Sequence, residues 1–191
     1  ERDANGESSE SESRSERKAT VRFDRRHADP SSRAASIATR TDRSERMRFF
    51  LEVDQDIESA PSIGPRSAER FREIGVRTVG QLLKGDADEI AERLGLSRVD
   101  GDTVLAWQQQ TELVCRVPNL RGHDAQLLVA CGVETAEQLA AADVDRLLGK
   151  VRPFALGSEG QRLLRKAPVP DRNEVSDWIR WAQNTRALRV A

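Results

Sequence analysis

Residues 61–94 read "PSIGPRSAERFREIGVRTVGQLLKGDADEIAERL", and residues 118–151 read "PNLRGHDAQLLVACGVETAEQLAAADVDRLLGKV". Laid over each other without a gap, at a shift of 57 residues, they agree at Pro61/Pro118, Ala68/Ala125, Gly75/Gly132, Val76/Val133, Thr78/Thr135, Gln81/Gln138, Leu82/Leu139, Asp86/Asp143 and Asp88/Asp145. Apolar character matches at Ile63/Leu120, Phe71/Leu128 and Ile90/Leu147. An internal repeat of this length defines a folding unit that the chain uses twice.

Each copy divides into short helical pieces. Pro65 suits a first helical position, where its missing N–H is no loss. Gly75 and Gly132 stand where a helix commonly ends. Thr78 and Thr135 read as caps for the next helix, and Asp86 and Asp143 as caps for the one after. A longer helix closes each copy, over about 102–115 and 173–188. In the last, Val175, Trp178, Ile179, Ala182 and Leu188 fall near one face. No alternating run suggests a strand.

The repeat resumes after an interruption. "WQQQTEL" from Trp107 matches "WAQNTRAL" from Trp181 at a shift of 74, so the second copy holds about 17 extra residues, near 152–168. The spacing predicts a first repeat over 47–116 and a second, degenerate repeat over 117–191. Trp107 and Trp181 are the expected equivalent core anchors. The wider core is expected to include Ile63, Ala68, Phe71, Ile74, Val79, Leu82, Ile90, Leu94, Leu120, Ala125, Leu128, Leu139 and Leu147. A body of this size can bury such a core without disulfides or metal.

Residues 1–46 read differently. They are rich in Ser, Glu and Arg, carry no apolar period, and are expected to form a disordered arm. Its charge is segregated: residues 1–16 hold six acids against two Arg, and residues 17–48 hold ten Arg or Lys against four acids. Over the whole chain the formal net charge is −1, so only a local patch could attract a polyanion. Cys115 and Cys131 are too few for a disulfide framework and read as reduced, buried thiols. Cys and His are too sparse and scattered for a zinc site. No apolar run suits a membrane span, and the sequence shows no signal-peptide pattern. The expectation is a cytoplasmic protein, and the chain reads as the C-terminal part of a longer one.

The stretch "PSIGPRSAERFREIGVRTVGQLL" resembles the helix-hairpin-helix superfamily. The hairpin would be Ser62-Ile63-Gly64, with Ala68 as the small residue packing two helices. "IGVRTVGQLL" is similar to part of the C-terminal domain of bacterial RNA polymerase alpha subunits. The tandem arrangement, through "WQQQTELVCRVPNLRGHDAQLLVACGV", is similar to an uncharacterised bacterial domain family of unknown function, over roughly residues 50–190. The resemblance implies an all-α, SAM-like fold of two tandem helix-hairpin-helix repeats. It also implies noncatalytic, sequence-independent binding of the DNA or RNA phosphate backbone. Such a hairpin brings a glycine turn and a helix N-terminus against one phosphate. Contacts of that kind carry no base information.

On this reading Ser62, Ile63, Gly64, Arg66, Ser67, Arg70 and Arg77 form the binding surface, with Arg121 as a surviving contact in the second copy. The copies are unequal in charge. Residues 61–84 hold five Arg or Lys against two Glu, whereas residues 118–141 hold one Arg against three acids. The competing reading is a Gly/Pro corner that is only architectural. The chain would then be a helical protein-interaction or scaffold module, with Phe154 and Leu156 of the insertion facing a protein partner. An enzyme is not expected. His123 stands beside Asp124, but neighbours on a helix are expected to point apart, and no nucleophile, cofactor motif or metal-ligand set accompanies them.

Overall fold

The computed structural model describes residues 47–188. The expected disordered arm, residues 1–46, lies outside the described residues. After an extended segment and a 3-10 turn at Ile57–Ser59, the chain forms helices only. These are α1 (Pro65–Glu73), α2 (Val79–Lys84), α3 (Ala87–Leu94), α4 (Gly101–Arg116), α5 (Gly122–Ala130), α6 (Ala136–Ala140), α7 (Val144–Leu156), α8 (Ser158–Leu164) and α9 (Arg172–Ala182). The only strand-like pairing among the described residues is an isolated bridge between Asp56 and Thr78.

Local chemistry sets the boundaries, and sets them the same way twice. Thr78 and Thr135 each accept from the backbone N–H three residues on, while Gln81 and Gln138 reach back to the cap, a reciprocal capping box. Asp86 caps α3 and Asp143 caps α7. Gly75 and Gly132 leave α1 and α5 with φ of 88° and 80°, a conformation that penalises any Cβ. Asp100 and Asp171 cap the closing helices α4 and α9.

The packing also repeats. In the first copy α4 closes against α2 and α3; in the second α9 closes against α6 and α7. Helix α5 lies against α4 and joins the halves. One core runs through both copies, with Phe71, Val79, Leu82, Leu113, Leu120, Leu128, Leu139, Val151 and Trp178 fully buried in it. The expected core residues all belong to it, although Ile74, Trp107 and Trp181 are only half-buried. Phe71 meets Trp107 with ring centroids 5.9 Å apart and planes tilted by 58°, a favoured aromatic geometry.

The insertion extends α7 and adds α8. Phe154 is half-buried rather than exposed, because it packs beside Leu127, Ala155 and Leu164 in a second, small cluster. Leu156 is 62% exposed. Gly160 holds the two helices together: a Cβ there would lie 2.2 Å from the Phe154 carbonyl oxygen.

The last helix is shorter than its apolar pattern suggests. It stops at Ala182, and the chain turns so that Arg186 reaches three places at once. The Arg186 backbone N–H donates to the Arg116 carbonyl at 3.1 Å. Its guanidinium donates to the carbonyls of Cys115 at 2.7 Å and Leu51 at 2.8 Å, and pairs with Glu52 at 2.8 Å. These long-range partners outweigh continuation of an exposed helical turn.

Candidate nucleic-acid interface

The first hairpin begins as a turn in which the Ile63 N–H donates to the Ala60 carbonyl at 3.2 Å. Pro61 occupies the second place, and Ser62 the third with φ of 64°. That is the residue order and backbone sign of a type II turn. Asn119 repeats it in the second copy with φ of 61°. The left-handed position is thus Ser62, not Gly64. Asparagine tolerates this region better than serine does, because its side chain bonds locally to the backbone.

Side-chain bonds hold Ser62 there. Its hydroxyl donates to Gln110 Oε1 at 2.7 Å and accepts from Gln126 Nε2 at 2.8 Å. The hydroxyl therefore stitches the first hairpin to α4 and α5 and has no proton left for a phosphate. Ile63 is buried and anchors the turn in the core. Pro61 faces Gly122, where a Cβ would lie 3.6 Å from the proline ring, an ordinary van der Waals contact.

Gly64 has an ordinary extended backbone, φ −90° and ψ 175°, and stands at the N-cap of α1. A Cβ there would meet nothing within 4 Å. No side chain caps this helix and no acid lies in its first turn. The backbone N–H groups of Arg66 and Ser67 donate to nothing among the described residues. This leaves an open, partly positive helix end.

The arginines around it divide. Arg66 and Arg77 are exposed and make no ion pair among the described residues. Arg70 is exposed but is paired with Glu73 at 2.9 Å. Arg72 is held by Asp56 at 2.6 Å and Glu58 at 3.2 Å. The Asp56–Arg72 hydrogen bond keeps the Asp56 carboxyl below its usual range.

The second copy is closed at the matching place. Arg121 is the exposed N-cap residue of α5, with nearly the backbone of Gly64, φ −90° and ψ 161°. Its N–H donates to Asp124 Oδ2 at 3.1 Å. Asp124 is the counterpart of Ser67, so a carboxylate stands at this helix end where the first copy has a hydroxyl. The hairpin itself is clasped by the extended segment. The Asn119 N–H donates to the Arg48 carbonyl at 2.7 Å, and the Arg48 N–H to Asn119 Oδ1 at 3.1 Å.

His123 and Asp124 do not point apart. His123 Nε2 lies 3.3 Å from Asp124 Oδ1, so the two side chains meet despite being neighbours on the helix. Asp124 is only 2% exposed, and its Oδ1 has no hydrogen-bond partner among the described residues. Burial pushes its carboxyl up to about 6. Burial also lowers His123, with the Arg121 charge adding to the effect. Across from them Glu174 of α9 is raised, first by burial and then by the Asp124 charge. This buried carboxylate was missed as a functional feature; the acid three residues beyond the N-cap was its one sequence signal.

Among the described residues no group of three or more His, Cys, Asp or Glu side chains is placed to hold a metal ion. None of their helices is long and apolar enough to cross a membrane. Cys115 is buried and Cys131 half-buried, both as free thiols. Burial pushes the Cys115 thiol up to about 12 and raises Cys131 as well.

Comparison with curated proteins and with solved structures finds no match to either. A family described as a domain of unknown function, DUF4332, does match, over residues 61–185. That span covers both matching segments, 61–94 and 118–151, and more than half of the chain, so the protein belongs to this family of uncharacterised domains.

Proposed function

We propose that the chain is a tandem helix-hairpin-helix module whose first hairpin binds the DNA or RNA phosphate backbone without reading sequence. One contrast carries this reading. The N-terminus of α1 is uncapped, free of acids and open in front of Gly64, whereas the matching end of α5 is occupied by Asp124. A helix end with unpaired N–H groups favours an oxyanion. Arg66 and Arg77, neither in an ion pair among the described residues, add local positive charge. Ile63 anchors the turn from beneath, Ser67 contributes its backbone N–H, and Ser62 acts only as a support for the hairpin. Arg70 and Arg121 are secondary, the first because Glu73 already holds it. The likeness of residues 74–83, the turn after α1 and most of α2, to the alpha-subunit domain of RNA polymerase is part of this proposal.

Fluorescence anisotropy with a short labelled duplex tests it, using wild type, Gly64→Asp and Arg66→Glu. The expected result is weak binding that falls steeply with salt. Each variant should bind about tenfold less tightly, the loss of one charge-assisted contact. Aspartate at residue 64 is a favoured N-cap, so this variant closes the helix end without unfolding it. Equal binding by all three proteins, or none at low salt, rejects the proposal.

The alternative, a protein-interaction module, is favoured by one observation, the 62% exposure of Leu156 at the end of α7. Deletion of residues 152–168 would then abolish capture of a specific partner and leave duplex binding intact.

A further inference from the structure

Comparison of the two copies singles out a place away from both hairpins. In the first copy, α3 carries Glu89 and Arg93 one turn apart, joined at 3.5 Å. Arg93 also donates to the Ile74 carbonyl at the end of α1. The counterparts in α7 are Arg146 and Lys150. A favourable pair has become two like charges at the same spacing, which costs helix stability. Neither side chain forms an ion pair among the described residues. The nearby acids are engaged elsewhere: Asp143 accepts from the Arg146 N–H at 2.9 Å, and Asp145 pairs with Arg172 of α9.

Beside these cations is a half-open cavity of about 200 Å³. Val133, Ala141, Ala142 and Leu147 give it an apolar lining, and Arg146, Lys150 and Asp143 supply its polar groups. The volume equals roughly six or seven waters at ~30 Å³ each. It is smaller than the ~300–1,000 Å³ pockets that take drug-sized ligands. An apolar lining with two unpaired cations beside it matches a short organic acid.

We propose that this cavity binds a small amphiphilic anion, with its carboxylate between Arg146 and Lys150 and its apolar body against Val133, Ala142 and Leu147. Asp143 stays with the backbone as the helix cap, which leaves a net positive charge for the ligand. The site is independent of the hairpin and of nucleic-acid binding.

Titration of the 191-residue chain with hexanoate, hexanol and inorganic phosphate, followed by two-dimensional amide NMR, tests this. Hexanoate should shift the amides of Val133, Ala142 and Leu147 saturably, and bind at least about tenfold more tightly than either other probe. Arg146→Glu restores the ion-pair arrangement of the first copy, so it should hold or raise the melting temperature. It should weaken hexanoate binding at least about tenfold. Equal binding of hexanoate and hexanol, phosphate binding as tight as hexanoate, hexanoate binding unchanged in Arg146→Glu, or no saturable shift at these amides would each overturn the assignment.

Discussion

The guanidinium of Arg186 stands 4.0 Å from the centroid of the Phe49 ring. The same group reaches the carbonyls of Leu51 and Cys115, so one side chain ties the extended segment to α4 and to the chain after α9. Truncation to alanine removes these bonds and the cation–π contact together. Arg186→Ala should cost about 2–4 kcal/mol in urea unfolding. Arg186→Lys should recover less than half, because an ammonium cannot reproduce the flat, forked geometry. A full rescue by lysine would show that charge alone matters here.

Asp124 makes stability depend on pH. Its folded carboxyl titrates at about 6, above the ordinary 3.8, so the folded state holds its proton more tightly than the unfolded state. Stability from this group is therefore full only below the ordinary value of 3.8 and is lost as pH rises through about 6. Asp124→Asn keeps an acceptor for the Arg121 N–H and removes the charge. Wild type and variant should match most closely below pH 3.8. Above pH 6 the variant should be more stable by about 1–3 kcal/mol, the cost of a buried unsatisfied group. His123, whose protonation is disfavoured by burial, contributes with the opposite slope below its unfolded value. Glu174 is raised in part by the Asp124 charge, and the variant removes that part, which favours the variant at high pH in the same direction. A gap that widens toward low pH would contradict this account.

Two glycines of one hairpin unit should respond in opposite directions. Gly64→Asp meets no steric obstacle and supplies a missing cap, so it should stabilise by about 0.5–1 kcal/mol. Gly75→Ala forces a Cβ into the left-handed region at φ 88° and should destabilise by about 1–2 kcal/mol. Thermal unfolding of the two variants gives the comparison directly.

The thiols should separate by reactivity. Cys115 is fully buried with its thiol pushed up to about 12, whereas Cys131 is half-buried and near Lys150, whose charge partly offsets the effect of burial. At pH 8 a disulfide reagent should modify one thiol in the native protein and two in denaturant. Cys131→Ser should abolish the native reaction. Rapid native modification of Cys115 would mean that the core around α4 opens readily.

The helical elements could be read from the sequence because their signals are local. Thr78 with Gln81, and Thr135 with Gln138, mark a helix start within four residues, and Gly75 and Gly132 mark a helix end by backbone sign alone. The doubling of each signal removed ambiguity. What stayed hidden depends on distant partners. Nothing near Ser62 announces that Gln110 and Gln126 will occupy its hydroxyl. The apolar face that runs on to Leu188 conceals the turn that Arg186 imposes. His123 and Asp124 are adjacent, yet their contact depends on side-chain torsions that helical spacing does not determine. At the candidate interface the contrast in charge between the copies was visible, but the division of arginines into paired and unpaired required Asp56, Glu58 and Glu73 in place.

The small cluster of Phe154, Ala155 and Leu164 draws only Leu127 from the buried residues of the repeat proper, while α9 closes on α6 and α7 without it. The extra 17 residues are in that sense a graft. A lineage could gain or lose them with little effect on the inner architecture, and excision would leave Leu127 and Val169 uncovered as the scar.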